Sequence, residues 1–297
     1  MKITSRVSLA FFVAALAPLG SYAADDQWQV GTAPSFSSGK FGTDSPTEIF
    51  HTPITARRLF TDGDLTLVFP FTCITGEGGV TVVDGVPIRA DLTTSTRTSG
   101  DTITSRRGSS TPTRETSTAP TTQTVAAPPA PAARTTSCGL GDVVVRGRYY
   151  IVDERAWWPT VALRAHVKAP TASVDAGLGT GRPDEGIGVE VSRAVAGTTF
   201  MVDGGYTVIG KPRDVEFRNR WWYDFGIGQD MARGVVNISM FFEEYSAIVP
   251  GHVDARGVLA VLTVRATSGW RLQLSAEAGL SDGAPDHGIT VGASRRF

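Results

Sequence analysis

Past its first two dozen residues the chain has no long hydrophobic run, few cysteines and histidines, and almost no net charge. Each shortage excludes something. Beyond Leu19 no stretch approaches the ~20 apolar residues that a helical membrane span needs. A formal charge of -1 over 297 residues offers no basic footprint for nucleic acid. The four histidines, His51, His166, His252 and His287, are scattered, and the two cysteines, Cys73 and Cys138, make no closely spaced ligand set. Neither a metal site nor another cofactor is therefore expected. The run Gly177-Leu-Gly-Thr-Gly181 lacks the Lys-Ser/Thr ending of a phosphate loop, and no helical pattern follows it. Its glycines are expected to serve a loop that needs positive φ.

Both ends of the chain point to export. Lys2 and Arg6 precede an apolar run from Val7 to Leu19, and Ser21-Tyr-Ala23 fits a small-x-small cleavage pattern. This predicts a signal peptide over 1–23 and a mature chain over 24–297. Its charge is -1 - 2 = -3, since the leader carries two bases and no acid. The last eleven residues, His287 to Phe297, alternate with period two. Ile289, Val291, Ala293 and Phe297 share one face; Gly288, Thr290, Gly292, Ser294 and Arg296 share the other. A closing strand that stops on an aromatic residue suits a barrel whose last strand seals the sheet against its first.

The same period recurs along the chain. In Leu65 to Cys73 the odd positions Leu65, Leu67, Phe69 and Phe71 are apolar, and in Arg271 to Leu280 the even positions are. About twelve such segments are predicted, with cores at 28–38, 47–60, 65–76, 142–152, 158–169, 185–193, 198–210, 217–229, 234–245, 257–267, 270–280 and 287–297. Short connections alternate with longer ones, as in barrels with short periplasmic turns and long outer loops. The expected fold is all-β: a closed antiparallel transmembrane barrel of about twelve strands in an up-and-down meander. Phe60, Trp157, Trp158, Phe200 and Trp270 sit beside the short turns and would form a periplasmic aromatic girdle. From Asp91 to Ser137, 22 of 47 residues are Ser or Thr, five are Pro and none is aromatic. Such a segment cannot bury enough apolar area to order itself, and is expected to be a disordered outer insert.

The polar faces carry charges of both signs. Arg146, Arg148, Arg164, His166, Lys168, Glu190, Asp203, Arg218, Arg220, Asp224, Glu243 and Glu277 are the candidate lumen-lining residues. They would act as a mixed-charge eyelet selecting small solutes, or as a web of mutual salt bridges that lets the barrel fold. Asp142 is a further potential partner. Cys73 and Cys138 bracket the long insert. By parity Cys73 falls on the apolar face and Cys138 on the polar one, which argues against a bridge between them.

Three motifs carry a resemblance. Gly139-Leu-Gly-Asp142 opens a strand; Pro170-Thr-Ala172, Ala176 to Gly181 and Asp184 follow the next hairpin; Ser281 to Asp286, Gly288 and Arg296-Phe297 close the chain. Together, over roughly 36–76 and 137–297, they resemble a family of bacterial outer-membrane barrels named as transporters or as proteins of the meta-pathway of phenol degradation. The chain departs from the family pattern at His287, at Arg295 and in the long insert. The resemblance implies an outer-membrane location and passive passage of small molecules, hydrophobic or aromatic ones among them. Its partners would be outer-membrane lipid and lipopolysaccharide, the barrel-assembly machinery acting through Phe297, and the solute. A non-conducting structural or surface-display barrel is the alternative. A lipid-modifying enzyme is a third reading, but no histidine has a serine two positions on, the pair such barrels share, and no catalytic residue is assigned.

Overall fold

The computed structural model describes residues 27–43, 45–78, 80–83, 86–89, 134–212, 215–266 and 269–297. The expected leader over 1–23, and positions 91–133 of the expected insert, lie outside them. The strands are β1 (Gln27–Thr32), β2 (Ser35–Gly39), β3 (Thr47–Phe60), β4 (Gly63–Gly76), β5 (Val80–Val83), β6 (Val86–Arg89), β7 (Thr135–Leu140), β8 (Val143–Val152), β9 (Thr160–Ala169), β10 (Asp184–Val195), β11 (Thr198–Val208), β12 (Arg220–Met231), β13 (Val236–Tyr245), β14 (Ala255–Arg265), β15 (Trp270–Gly279) and β16 (His287–Arg296). Each of β8 to β16 pairs antiparallel with the next, β3 pairs with β4, and both β1 and β2 lie between β16 and β3. β7 and β8 lie in turn along β4. Counting β1 with β2, and β7 with β8, as single staves gives a closed antiparallel barrel of twelve strands.

Alternation decides which face is which. In β10 the burial repeats as buried, exposed, buried from Asp184 to Glu190. In β12 Trp221, Tyr223, Phe225 and Ile227 are exposed while Arg220 and Trp222 are buried. Large apolar side chains thus face outward around the wall, and charged ones face the lumen. This reverses a soluble barrel, whose apolar side chains fill the inside. Phe60, Trp157, Trp158, Phe200 and Trp270 are all exposed at the end with the short turns. The turn between β10 and β11 consists of Ala196 and Gly197, both at positive φ, the geometry that matches strand twist in a two-residue hairpin.

The opposite, loop end is filled. Phe41, Ile49, Ile74, Val80, Ala172 and Leu178 form one buried apolar cluster; Val83, Ile209, Phe217 and Ile248 form another. β5 and β6 pair as a hairpin of their own, within the span 77–141 read from the sequence as one long connection. Val80 belongs to the cluster on the β3–β4 side and Val83 to the one by β11 and β12, so this hairpin reaches across the mouth. Three residues of strand cover about 10 Å. Arg220 Nη1 donates to the Val83 carbonyl at 3.3 Å. Gly177 and Gly181 do adopt positive φ, and between them Leu178 drops into the first cluster.

Several boundaries differ from expectation, three of them with a clear cause. The strand placed at 217–229 begins only at Arg220, because Phe217 turns inward to the second cluster instead of facing out. The strand placed at 158–169 begins at Thr160, with Trp158 held in an isolated bridge to Arg155. At the end of the insert, Thr135, Thr136 and Ser137 pair with Gly76, Thr75 and Ile74 as the start of β7.

The parity argument against a disulfide also fails: Cys73 and Cys138 are directly opposed on β4 and β7 and are bonded. The reason is a register shift. Val68 pairs with Val144, but Phe71 pairs with Leu140. An extra residue at Gly141-Asp142 flips every side chain beyond it to the other face, as a bulge does.

That bulge lies in a row of ladder interruptions. Pro53 and Pro70 oppose each other in mid-strand on β3 and β4. Ala33-Pro34 separates β1 from β2 beside Pro53. Proline removes a donor wherever it sits. Two bonds patch the seam: Gly141 N to Pro70 O at 2.8 Å, and Val291 N to Pro34 O at 3.0 Å.

Candidate functional site

The candidate site is the charged inner face. Register places its acids in line. Glu190 pairs with Asp203, Asp203 with Asp224, and Asp224 with Glu243, so four carboxylates sit side by side across β10, β11, β12 and β13. Glu277 on β15 shares that face. The bases stand beside them: Arg146 pairs with His166 and Arg148 with Arg164 across β8 and β9, and β9 adjoins β10. Like charges placed directly opposite destabilise a sheet. The wall compensates with ion pairs that each reach over one intervening strand. Arg148 Nη1 reaches Glu190 at 3.4 Å, and its Nε lies 3.9 Å from Asp64, which also binds Arg57 at 2.6 Å. Arg164 is ion-paired with Asp203 and lies over the Trp222 ring at 5.2 Å. Among the described residues no cation lies within ion-pair distance of Asp224, Glu243 or Glu277.

Glycines make room for these large side chains. A Cβ at Gly188 would stand 2.8 Å from the Trp222 ring, and one at Gly205 2.5 Å from it. The indole therefore lies flat on the wall of β10 and β11, where it braces Arg164. His166 lies over Gly186 in the same way. His51 Nδ1 bonds Thr72 Oγ1 at 2.9 Å on the neighbouring wall.

Three candidates fall elsewhere. Lys168 is buried, 2.9 Å from Asp142 and 2.8 Å from Asp184, and does not line an open lumen. The same carboxylates hold the loops: Asp142 accepts from Ala172 N at 2.9 Å and Asp184 from Gly210 N at 2.8 Å. Lys168 is thus the centre of a structural knot at the loop end. Arg218 is exposed on the segment before β12 and takes no part in the inner cluster; its backbone N donates to Ile248 O. Arg220 is buried in the mouth against Val83 and the Tyr245 ring. A cavity of about 280 Å³ opens beside it, lined by Phe41, Tyr245, His252 and Asp282 among others.

Trp222, Asp64, Arg57 and the β5–β6 hairpin were not foreseen as parts of the lumen. Trp222 and Asp64 could have been found, since each falls on the polar parity of its strand.

No protein-family model and no curated protein matches the chain. Solved structures do. An outer membrane channel from Pseudomonas putida F1 aligns over 95% of this chain and 100% of its own, at 11% identity and a TM-score of 0.62. The CymD monoaromatic hydrocarbon channel covers 92% and 89% at 7% identity and a TM-score of 0.44. The transport unit of the autotransporter AIDA-I from Escherichia coli covers 96% and 94% at 11% identity and a TM-score of 0.45. The full-length match to the Pseudomonas putida channel is a likeness of architecture: the chain has the fold of an outer-membrane β-barrel.

Proposed function

We propose that the protein sits in a bacterial outer membrane and passes small molecules without energy input, with its extracellular mouth shut at rest by the β5–β6 hairpin. One observation carries this reading: a charged inner face runs through a barrel whose outer face is apolar, and an apolar hairpin stops its mouth. The outward Trp221, Phe225, Ile187 and Leu274 need a lipid solvent. Arg148, Arg164, Glu190, Asp203, Asp224, Glu243 and Glu277 then meet the solute, and Arg146 and His166 flank them. The family resemblance in the sequence favours hydrophobic or aromatic solutes, as do the two apolar clusters such a solute would meet first.

Burying Val80 and Val83 contributes about 3–6 kcal/mol towards keeping the hairpin in place. At 1.4 kcal/mol per tenfold, the mouth would open in about one molecule in 10² to 10⁴. Planar bilayers test this. The wild type should show rare steps, and a variant with positions 80–89 replaced by a Gly-Ser segment of equal length should conduct steadily. Silence in both would leave the second reading, a non-conducting structural barrel, which the Arg148–Glu190 and Arg164–Asp203 pairs along the inner wall favour, since they answer one another's charge.

A further inference from the structure

The turn end of the lumen holds a group of arginines that nothing in the channel reading uses. Arg265 on β14 and Arg271 on β15 are directly opposed, and Arg271 is opposed in turn to Ser294 on β16. Two positions on, Arg296 pairs with Gln29 of β1, which pairs with Arg57 of β3. Parity puts Arg271, Ser294, Arg296, Gln29 and Arg57 on the inner face, since Leu272, Val291, Val30 and Trp28 are exposed on the outer one. Arg57 is answered by Asp64 at 2.6 Å. Among the described residues no carboxylate lies within ion-pair distance of Arg265, Arg271 or Arg296.

The inner acids do not neutralise them. Glu277 is six residues up β15 from Arg271, about 20 Å at 3.3 Å per residue. That is more than twice the ~8 Å screening length at physiological salt. Three like charges set across neighbouring strands work against the sheet, and planar guanidinium groups match the oxygens of a carboxylate or phosphate. Gln29 Nε2 donates to Ser294 Oγ at 2.8 Å and keeps the floor between Arg271 and Arg296 polar.

We propose that Arg265, Arg271 and Arg296 form an oxyanion-binding site at the periplasmic exit of the lumen. The orientation rests on the outer-membrane reading above; the binding does not. The ligand carries a carboxylate or phosphate, either on a solute leaving the barrel or on a lipid headgroup reaching the rim.

The refolded barrel in uncharged detergent is titrated with inorganic phosphate and followed by calorimetry, beside the triple variant R265Q/R271Q/R296Q. Phosphate should bind the wild type, and the variant should lose at least tenfold in affinity. A triple lysine variant should retain part of the binding. Because the substitution relieves repulsion, the variant should also unfold at the same or higher urea concentration, which separates a lost site from a lost fold. Repeating the titration in phosphatidylcholine vesicles with and without phosphatidylglycerol assigns the source: competition by the anionic lipid means a headgroup, indifference a free solute. Equal phosphate affinity in wild type and the glutamine variant overturns the proposal, as does an absence of binding to the wild type. A barrel that binds phosphate but carries no current would refute the channel and leave the site standing.

Discussion

Removing the Lys168 ammonium would leave the Asp142 and Asp184 carboxylates in the wall without the cation they share. Breaking a buried pair costs about 3–5 kcal/mol, because the remaining charge cannot be rehydrated. Lys168→Ala should lower the unfolding free energy by that much, read as a drop in the urea midpoint on heat-modifiability gels. Lys211→Ala, at an exposed loop position, should change it by under about 0.5 kcal/mol. Single residues were legible wherever period two held. Arg148, Arg164, Glu190 and Asp203 follow from parity alone, and the structure pairs them as Arg148–Glu190 and Arg164–Asp203. Lys168 has the same parity yet lies in the knot, since parity gives the face and not the depth. Arg218 was misread because its strand had not yet begun.

At the scale of elements, the strand pattern was legible because lipid and lumen impose opposite demands on alternate residues. The β5–β6 hairpin was not foreseen, although Asp84-Gly85 between two valine-bearing runs is a hairpin signal in the sequence. The low-complexity stretch beyond it had drawn the whole connection into a single loop. The bulge at Gly141-Asp142 hid the disulfide for another reason: one added residue reverses parity and leaves no mark on composition. Cys73 and Cys138 are 65 residues apart in sequence. Closing a loop of that size restrains the unfolded chain by about 4 kcal/mol in the entropic account. In the folded barrel the β4–β7 ladder already aligns the pair. Reduction should therefore leave the folded gel band intact and move the urea midpoint down. Loss of the folded band on reduction would mean that the bond, and not the ladder, seats β7.

At the scale of the whole molecule, the outer-membrane reading makes a claim about solvent. Leu274 lies mid-way along the outer face of β15. If lipid surrounds it, Leu274→Arg should cost about 2–4 kcal/mol, and the same change at Leu280, beyond the strand end, about 0–1 kcal/mol. Equal, small effects at both positions would mean that water surrounds the barrel. Reversible folding into vesicles with a urea titration gives both values.

The row of prolines has a mechanical meaning as well. A hydrogen-bonded cylinder is stiff around its circumference, but along Pro34, Pro53, Pro70 and Gly141 the hoop is spliced rather than woven. Strain on the barrel, from bilayer thickness or lateral pressure, will concentrate on that arc, while the unbroken staves β10 to β13 ride it out as a rigid shell. Amide exchange should register the difference, with faster deuteration flanking Pro53 and Pro70 than at matching depth in β11 and β12. The wall that looks uniform in cross-section would then have a single compliant side.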